Sequence, residues 1–173
     1  MTTCERFFGK YRGTVINNID PMQMGRIQAQ VPAVSSLLPT SWCMPCYPLA
    51  GTGSGMSFVP QLKSGVWVDF EGGDPDYPIW TGCFYGLGAE RPTDAALSNP
   101  VSPSMVFQSQ LLHSVVISDL PPTPITGGIV LKSATGASIV VNDSGIYIDN
   151  GKGAKIYLVG PMVNINTGAL TIQ

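Results

Sequence analysis

Apolar and polar residues alternate at a period of two along most of the chain, and a sustained helical repeat is almost absent. The pattern predicts an all-β protein. Gly9 to Asn17 reads as a first strand with Gly13 at its centre, where barrel strands commonly bend or bulge. Asp20-Pro21-Met22-Gln23-Met24-Gly25 reads as a turn, since proline presets one φ and glycine admits a positive one. Arg26 to Val31 alternates cleanly and makes a hairpin with the first strand. Residues 33–63 are irregular and rich in proline, glycine and serine, with Trp42 and Phe58 as candidate anchors. Gly65 to Glu71 is the third clear strand, with Val66, Val68 and Phe70 on one face. Gly72 to Asp76 then turns the chain into a return strand over Pro78 to Tyr85. Short, bent antiparallel strands within residues 1–88 predict a small closed barrel of the oligonucleotide/oligosaccharide-binding (OB) type.

Residues 89–104 change character. Arg91-Pro92, Asn99-Pro100 and Ser102-Pro103 punctuate a stretch without periodicity, which reads as a linker. Over residues 105–173 the pattern becomes a repeat of apolar doublets separated by one residue. They are Met105/Phe107, Val115/Ile117, Ile129/Leu131, Ile139/Val141, Ile146/Ile148, Ile156/Leu158, Val163/Ile165 and Leu170/Ile172. Successive doublets start 10, 14, 10, 7, 10, 7 and 7 residues apart, with turn formers such as Asn142-Asp143-Ser144-Gly145, Asn150-Gly151 and Thr167-Gly168 between them. Each unit is a short strand plus a tight turn, a solenoid at a short period.

A single-chain β-helix needs roughly 20 residues or more to close one triangular layer. Steps of seven to ten residues supply only one side of the triangle. Three chains winding together supply all three, with the doublets meeting on the axis and the strand edges paired between chains. Fully burying each such side chain contributes roughly 1.5–3 kcal/mol. The expectation is therefore a trimeric, intertwined β-helix needle, its outer face built of Ser, Thr, Asn and Lys. Six rungs from Ile129 to Ile172 at about 5 Å each give a shaft of roughly 30 Å.

Charge and cysteine narrow the function classes. Only 12% of residues are charged against a usual quarter, while 44% are apolar, so part of the apolar surface is expected to lie between subunits. No apolar run approaches the ~18 residues that span a bilayer, and Met1 to Arg6 lacks the pattern of a secretory signal. Residues 1–90 carry five basic and seven acidic groups, which disfavours a nucleic-acid-binding OB module. A polysaccharide-cleaving tailspike would need paired carboxylates. Beyond Ile129 the only acids are Asp143 and Asp149, and both sit in turn motifs that already account for them. No catalytic residue, cofactor or metal site is assigned. Cys43 and Cys46 have the spacing of a zinc or redox knuckle, but zinc would need Cys4 and Cys83 as well, and Pro48 and Gly51 follow where a redox pair wants a helix. Buried free thiols are the expectation. His113 reads as a turn or packing residue, Asp74 and Asp76 as turn formers that could also touch a partner, and Trp42, Trp67 and Trp80 as barrel packing.

The two halves, in this order, resemble the central spike of contractile phage tails, the baseplate assembly protein V family. They are also similar in part to the spike portion of type VI secretion valine-glycine repeat proteins. The resemblance rests on Phe8-Gly9-Lys10-Tyr11-Arg12-Gly13-Thr14-Val15, Asp20-Pro21 through Gly25-Arg26-Ile27, and Val31-Pro32. It continues with Pro60, Gly65-Val66-Trp67-Val68-Asp69-Phe70-Glu71-Gly72-Gly73-Asp74-Pro75-Asp76-Tyr77-Pro78 and Trp80-Thr81-Gly82. It implies a structural, non-enzymatic spike in the tail baseplate of a virion, assembled in the host cytoplasm. OB barrels would bind the baseplate hub, and a homotrimeric needle would meet the bacterial outer membrane. The trimer core would be Ile129, Leu131, Ile139, Val141, Ile146, Ile148, Ile156, Leu158, Val163, Ile165, Leu170 and Ile172. Spikes of this kind can end in a histidine pair holding iron, whereas the sole histidine here is His113, far from Gln173. Leu170 and Ile172 from three chains would leave an apolar plateau, so a separate tip protein similar to the proline-alanine-alanine-arginine repeat cones is expected there. The long form of the family carries a lysozyme domain, for which residues 89–104 leave no room.

Overall fold

In the computed structural model, which describes residues 5–120, 127–166 and 169–172, the chain divides into two compact units, Met1–Gly88 and Ala89–Gln173. The first is a curled sheet of β1 (Tyr11–Asn17), β2 (Gln28–Gln30), β3 (Met44–Pro45), β6 (Gly65–Phe70) and β7 (Pro78–Phe84), with a separate small hairpin of β4 (Ala50–Gly51) and β5 (Ser54–Gly55). Its strand order is β2-β1-β6-β7-β3, and an antiparallel bridge between Ile27 and Cys43 joins the two ends of the curl. Alternation explains the core. Val66, Val68 and Phe70 point inward from β6 and meet Val15, Ile27, Ala29, Val31 and Trp80. Trp80 also donates its indole N–H to the Gly25 carbonyl at 3.1 Å, so its polar edge is satisfied as well as its rings. Trp67 lies on the other face of the sheet against Phe84 and the Arg12 guanidinium, and Arg26 stacks on Trp42.

Two local expectations change. The bulge in β1 falls between Val15 and Asn17, not at Gly13. Gly13 is there for space: a Cβ would press on Val31, Val68 and Ala29 at 3.2–3.4 Å. The second strand, Gln28–Gln30, is shorter than the alternation suggested: Ile27 makes an isolated bridge to Cys43, and Arg26 is held by Asp20. That carboxylate accepts the backbone N–H groups of Met22, Met24 and Arg26 and two bonds from the Arg26 guanidinium, the shorter at 2.7 Å. The whole Asp20–Arg26 turn is thus wound around one ion pair, with the Asp20 side chain only 4% exposed.

Arg26, followed by the turn's backbone N–H groups, holds the Asp20 carboxyl well below the usual carboxylate range despite opposing desolvation. The folded value is lowered, so the ionised form stabilises the barrel above the ordinary carboxylate pKa. That contribution drains away as pH falls through and below it. The three tryptophans all lie in this unit, so their fluorescence follows it alone. Urea unfolding read that way is expected to show stability falling from about pH 5 downward. Asp20→Asn should lower stability at pH 7 and flatten the acid limb. An unchanged acid limb in that variant would refute the turn's electrostatic role.

The second unit is an antiparallel meander in which every strand pairs with its sequence neighbours. After the short helical turn α1 (Thr93–Ala96) come β8 (Met105–Gln108), β9 (Ser114–Ser118), β10 (Gly128–Lys132), β11 (Ser138–Asn142), β12 (Gly145–Asp149), β13 (Lys155–Val159), β14 (Met162–Ile165) and β15 (Leu170–Ile172). The turns follow the sequence. Asn142 Oδ1 accepts the N–H groups of Ser144 and Gly145, and Asn150 Oδ1 those of Lys152 and Ala154. Gly145 is obligatory, since a Cβ there would fall on the Leu158 carbonyl oxygen. Within one chain β9 to β14 each pair on both sides, and β8 and β15 are left as the edges. From β10 onward, steps of seven to ten residues leave just enough chain for a hairpin between successive strands.

Candidate functional site

Antiparallel register decides which side chains share a face, because residues directly opposite point the same way. The pairings Ile129↔Val141, Val141↔Ile146, Ile146↔Leu158, Leu158↔Val163 and Val163↔Ile172 make one continuous column. Leu131↔Ile139, Ile139↔Ile148, Ile148↔Ile156, Ile156↔Ile165 and Ile165↔Leu170 make a second column on the same face. At the other end Ile117 and Met105 extend the first, and Val115 and Phe107 the second. The twelve residues singled out in the sequence thus fall into two parallel rows. The Ile172 side chain, Thr167-Gly168 and Gln173 lie outside the described residues, so the far end is defined by the Leu170 side chain.

This face is open. From Ile129 to Leu158 its side chains are 37–48% exposed, and Leu170 is 51% exposed. Phe107, Val115, Leu131, Ile139, Ile148 and Ile156 line a groove along it. A strip of aliphatic side chains across eight strands is too extensive to be scattered surface leucine or isoleucine, and it marks a contact surface.

The opposite face departs from the expected polar coat. Val106, Val116, Val130, Val140, Tyr147 and Tyr157 form a central column there, with Val140 buried and the two tyrosine rings 5.3 Å apart. They were missed because strands such as Gly128–Lys132 are apolar at three consecutive positions, and the doublet reading assigned the middle residue to solvent. A flanking column is polar: Gln108, Ser114, Lys132, Ser138, Asp149 and Lys155 stand opposite one another in turn. Lys155 bonds Asp149 at 2.9 Å and holds its carboxyl below the usual range, with help from the Gly151 N–H. Asp149 is therefore a strand-end and turn residue.

The remaining candidates are structural. His113 sits at the β8–β9 turn, where Ser109 accepts its N–H and Nδ1 accepts that of Ala134 at 3.4 Å. Asp74 pairs with Arg6 at 3.3 Å and caps the Asp76 N–H. Cys43 is in the barrel core, where burial pushes its thiol pKa up, but Cys46 and Cys83 are exposed, against the expectation of buried thiols. Alternate strand positions face opposite ways, which separates Cys43 from Cys46. Cys4 lies outside the described residues. Among the described residues no cluster of metal-ligating side chains forms, and no helix is long and apolar enough to cross a membrane.

Comparison with known families matches both halves. Residues 11–85 match the type VI secretion system/phage-baseplate injector OB domain, and residues 104–171 match the phage baseplate V C-terminal trimerisation domain. No curated protein matches the chain.

Proposed function

The chain belongs to the phage baseplate V family of baseplate spike proteins, and from that premise we propose that it is the central needle of a contractile tail or phage-like injection device. The family is structural and generally non-enzymatic, its place is a virion or phage-like tail baseplate, and the trimerisation domain makes the protein a homotrimer. Supporting the needle reading is one observation: two unbroken apolar columns lie half-exposed on one face of the second sheet. Three such faces brought together on an axis exclude water from all of them and make an intertwined β-helical rod. Interiors packed at crystal-like density resist compression, so the rod can transmit force. In this reading the OB end attaches to the baseplate hub, the Leu170/Ile172 end carries a separate tip protein, and contraction drives the rod through the outer envelope. Assembly takes place in the host cytoplasm.

The test is made in the particle that carries the protein. Particles lacking it are expected to show no central density beneath the hub. They should also fail to admit a chromogenic β-lactam to the periplasm after contraction. Normal admission without the protein would refute the piercing role.

A further inference from the structure

The family match to the trimerisation domain begins at residue 104, yet the second compact unit begins at Ala89. What joins residues 89–104 to the sheet is specific. The Asp94 carboxylate accepts the Ser114 hydroxyl at 2.8 Å through one oxygen and the Lys132 ammonium at 2.8 Å through the other. Thr93 Oγ1 and the Gln108 side chain exchange a hydrogen bond at 3.1–3.2 Å, and the Asp94 N–H reaches Gln108 Oε1 at 3.4 Å. Gln108, Ser114 and Lys132 are neighbours in one polar column and belong to β8, β9 and β10. One helical turn therefore crosses the first three strands.

We infer that the trimerisation unit of this chain starts near Ala89 and that Asp94 anchors α1 as a brace, ordering β8–β10 before three chains assemble. β8 is the edge of the meander, hydrogen-bonded on one side only, and its Met105 and Phe107 are 62% and 69% exposed in a single chain. Packing cannot hold that strand until partners arrive, so the polar brace does. A strand ordered in advance costs less to immobilise on association. Removing Asp94 would strand the buried Ser114 hydroxyl and the Lys132 ammonium without their acceptor. The segment is thus the first layer of the needle, which departs from its reading as a connector. The assembly role rests on the trimer, but the brace itself belongs to one chain.

The experiment is hydrogen exchange on the full-length protein, its trimeric mass established first by light scattering. In Asp94→Ala, amides of Met105–Gln108 are expected to exchange roughly tenfold faster or more, the scale of losing hydrogen bonds to a charged group, while those of β12–β14 keep their rates. Lys132→Met should produce part of the same acceleration, and adding Asp94→Ala to it should do less than Asp94→Ala alone. Unchanged exchange over Met105–Gln108 in a trimeric Asp94→Ala protein overturns the brace. So does a fully additive double variant. A wild-type chain found monomeric overturns the trimer reading instead, and leaves the exchange comparison to decide the brace within one chain.

Discussion

Replacing Ile148 by aspartate is expected to abolish the trimer. Ile148 is central in its column, opposite Ile139 on one side and Ile156 on the other. In one chain it is 38% exposed, so the monomer tolerates a carboxylate there. Three chains meeting on this face would instead bury three carboxylates close together without partners. Desolvation opposes each of them by several kcal/mol, and their mutual repulsion adds to it. Light scattering should move from about 55 kDa, three times the 18.3 kDa of one chain, to monomer or to aggregate. Ile148→Val removes one methylene per chain, about 0.5–1.5 kcal/mol each, and should stay trimeric. Asp143→Asn, on an exposed turn, serves as the neutral control. A stable trimer carrying Ile148→Asp would remove this face from the axis.

The second large effect is expected in the barrel and should stop there. Trp80 is 1% exposed, packs edge-on against Tyr47 and Phe58 and bonds the Gly25 carbonyl. Trp80→Ala empties the largest side chain of the core at about 3–5 kcal/mol, and it leaves that carbonyl without its indole donor. A small domain has only some 5–15 kcal/mol to lose, so much of the barrel should be unfolded at physiological temperature. Trp42 and Trp67 fluorescence would report this directly. The second unit has its own sheet and polar turns, so the chain should remain a trimer of about 55 kDa. Loss of the trimer together with the barrel would mean that the two units fold as one.

How much of this was legible in the sequence depends on the range of the cause. Strand-by-strand alternation and turn chemistry are local, so Val66, Val68 and Phe70 could be placed on one face, and Asn142-Asp143-Ser144-Gly145 could be read as a hairpin end. The doublets were equally legible, since a period of two reports which neighbours share a face whatever the fold around them. Other features depend on contacts between residues far apart in the chain. Gly13 looked like a bend, and only the approach of Val31 and Val68 shows it to be a space requirement. Cys46 looked like a buried thiol, and the closure of the curl leaves it outside.

Asp94 shows the boundary most clearly. Arg91-Pro92-Thr93-Asp94 lies in a stretch that reads as a linker, and nothing local says that its carboxylate will meet Ser114 and Lys132, 20 and 38 residues further on. By itself the sequence determined an all-β chain in two parts and the doublets that fill the open face. Their arrangement in two unbroken columns, the valine–tyrosine column behind them and the brace across the first three strands were decided by tertiary structure. The physical reason is that periodicity assigns a side chain to a face, whereas register and loop closure assign it a neighbour.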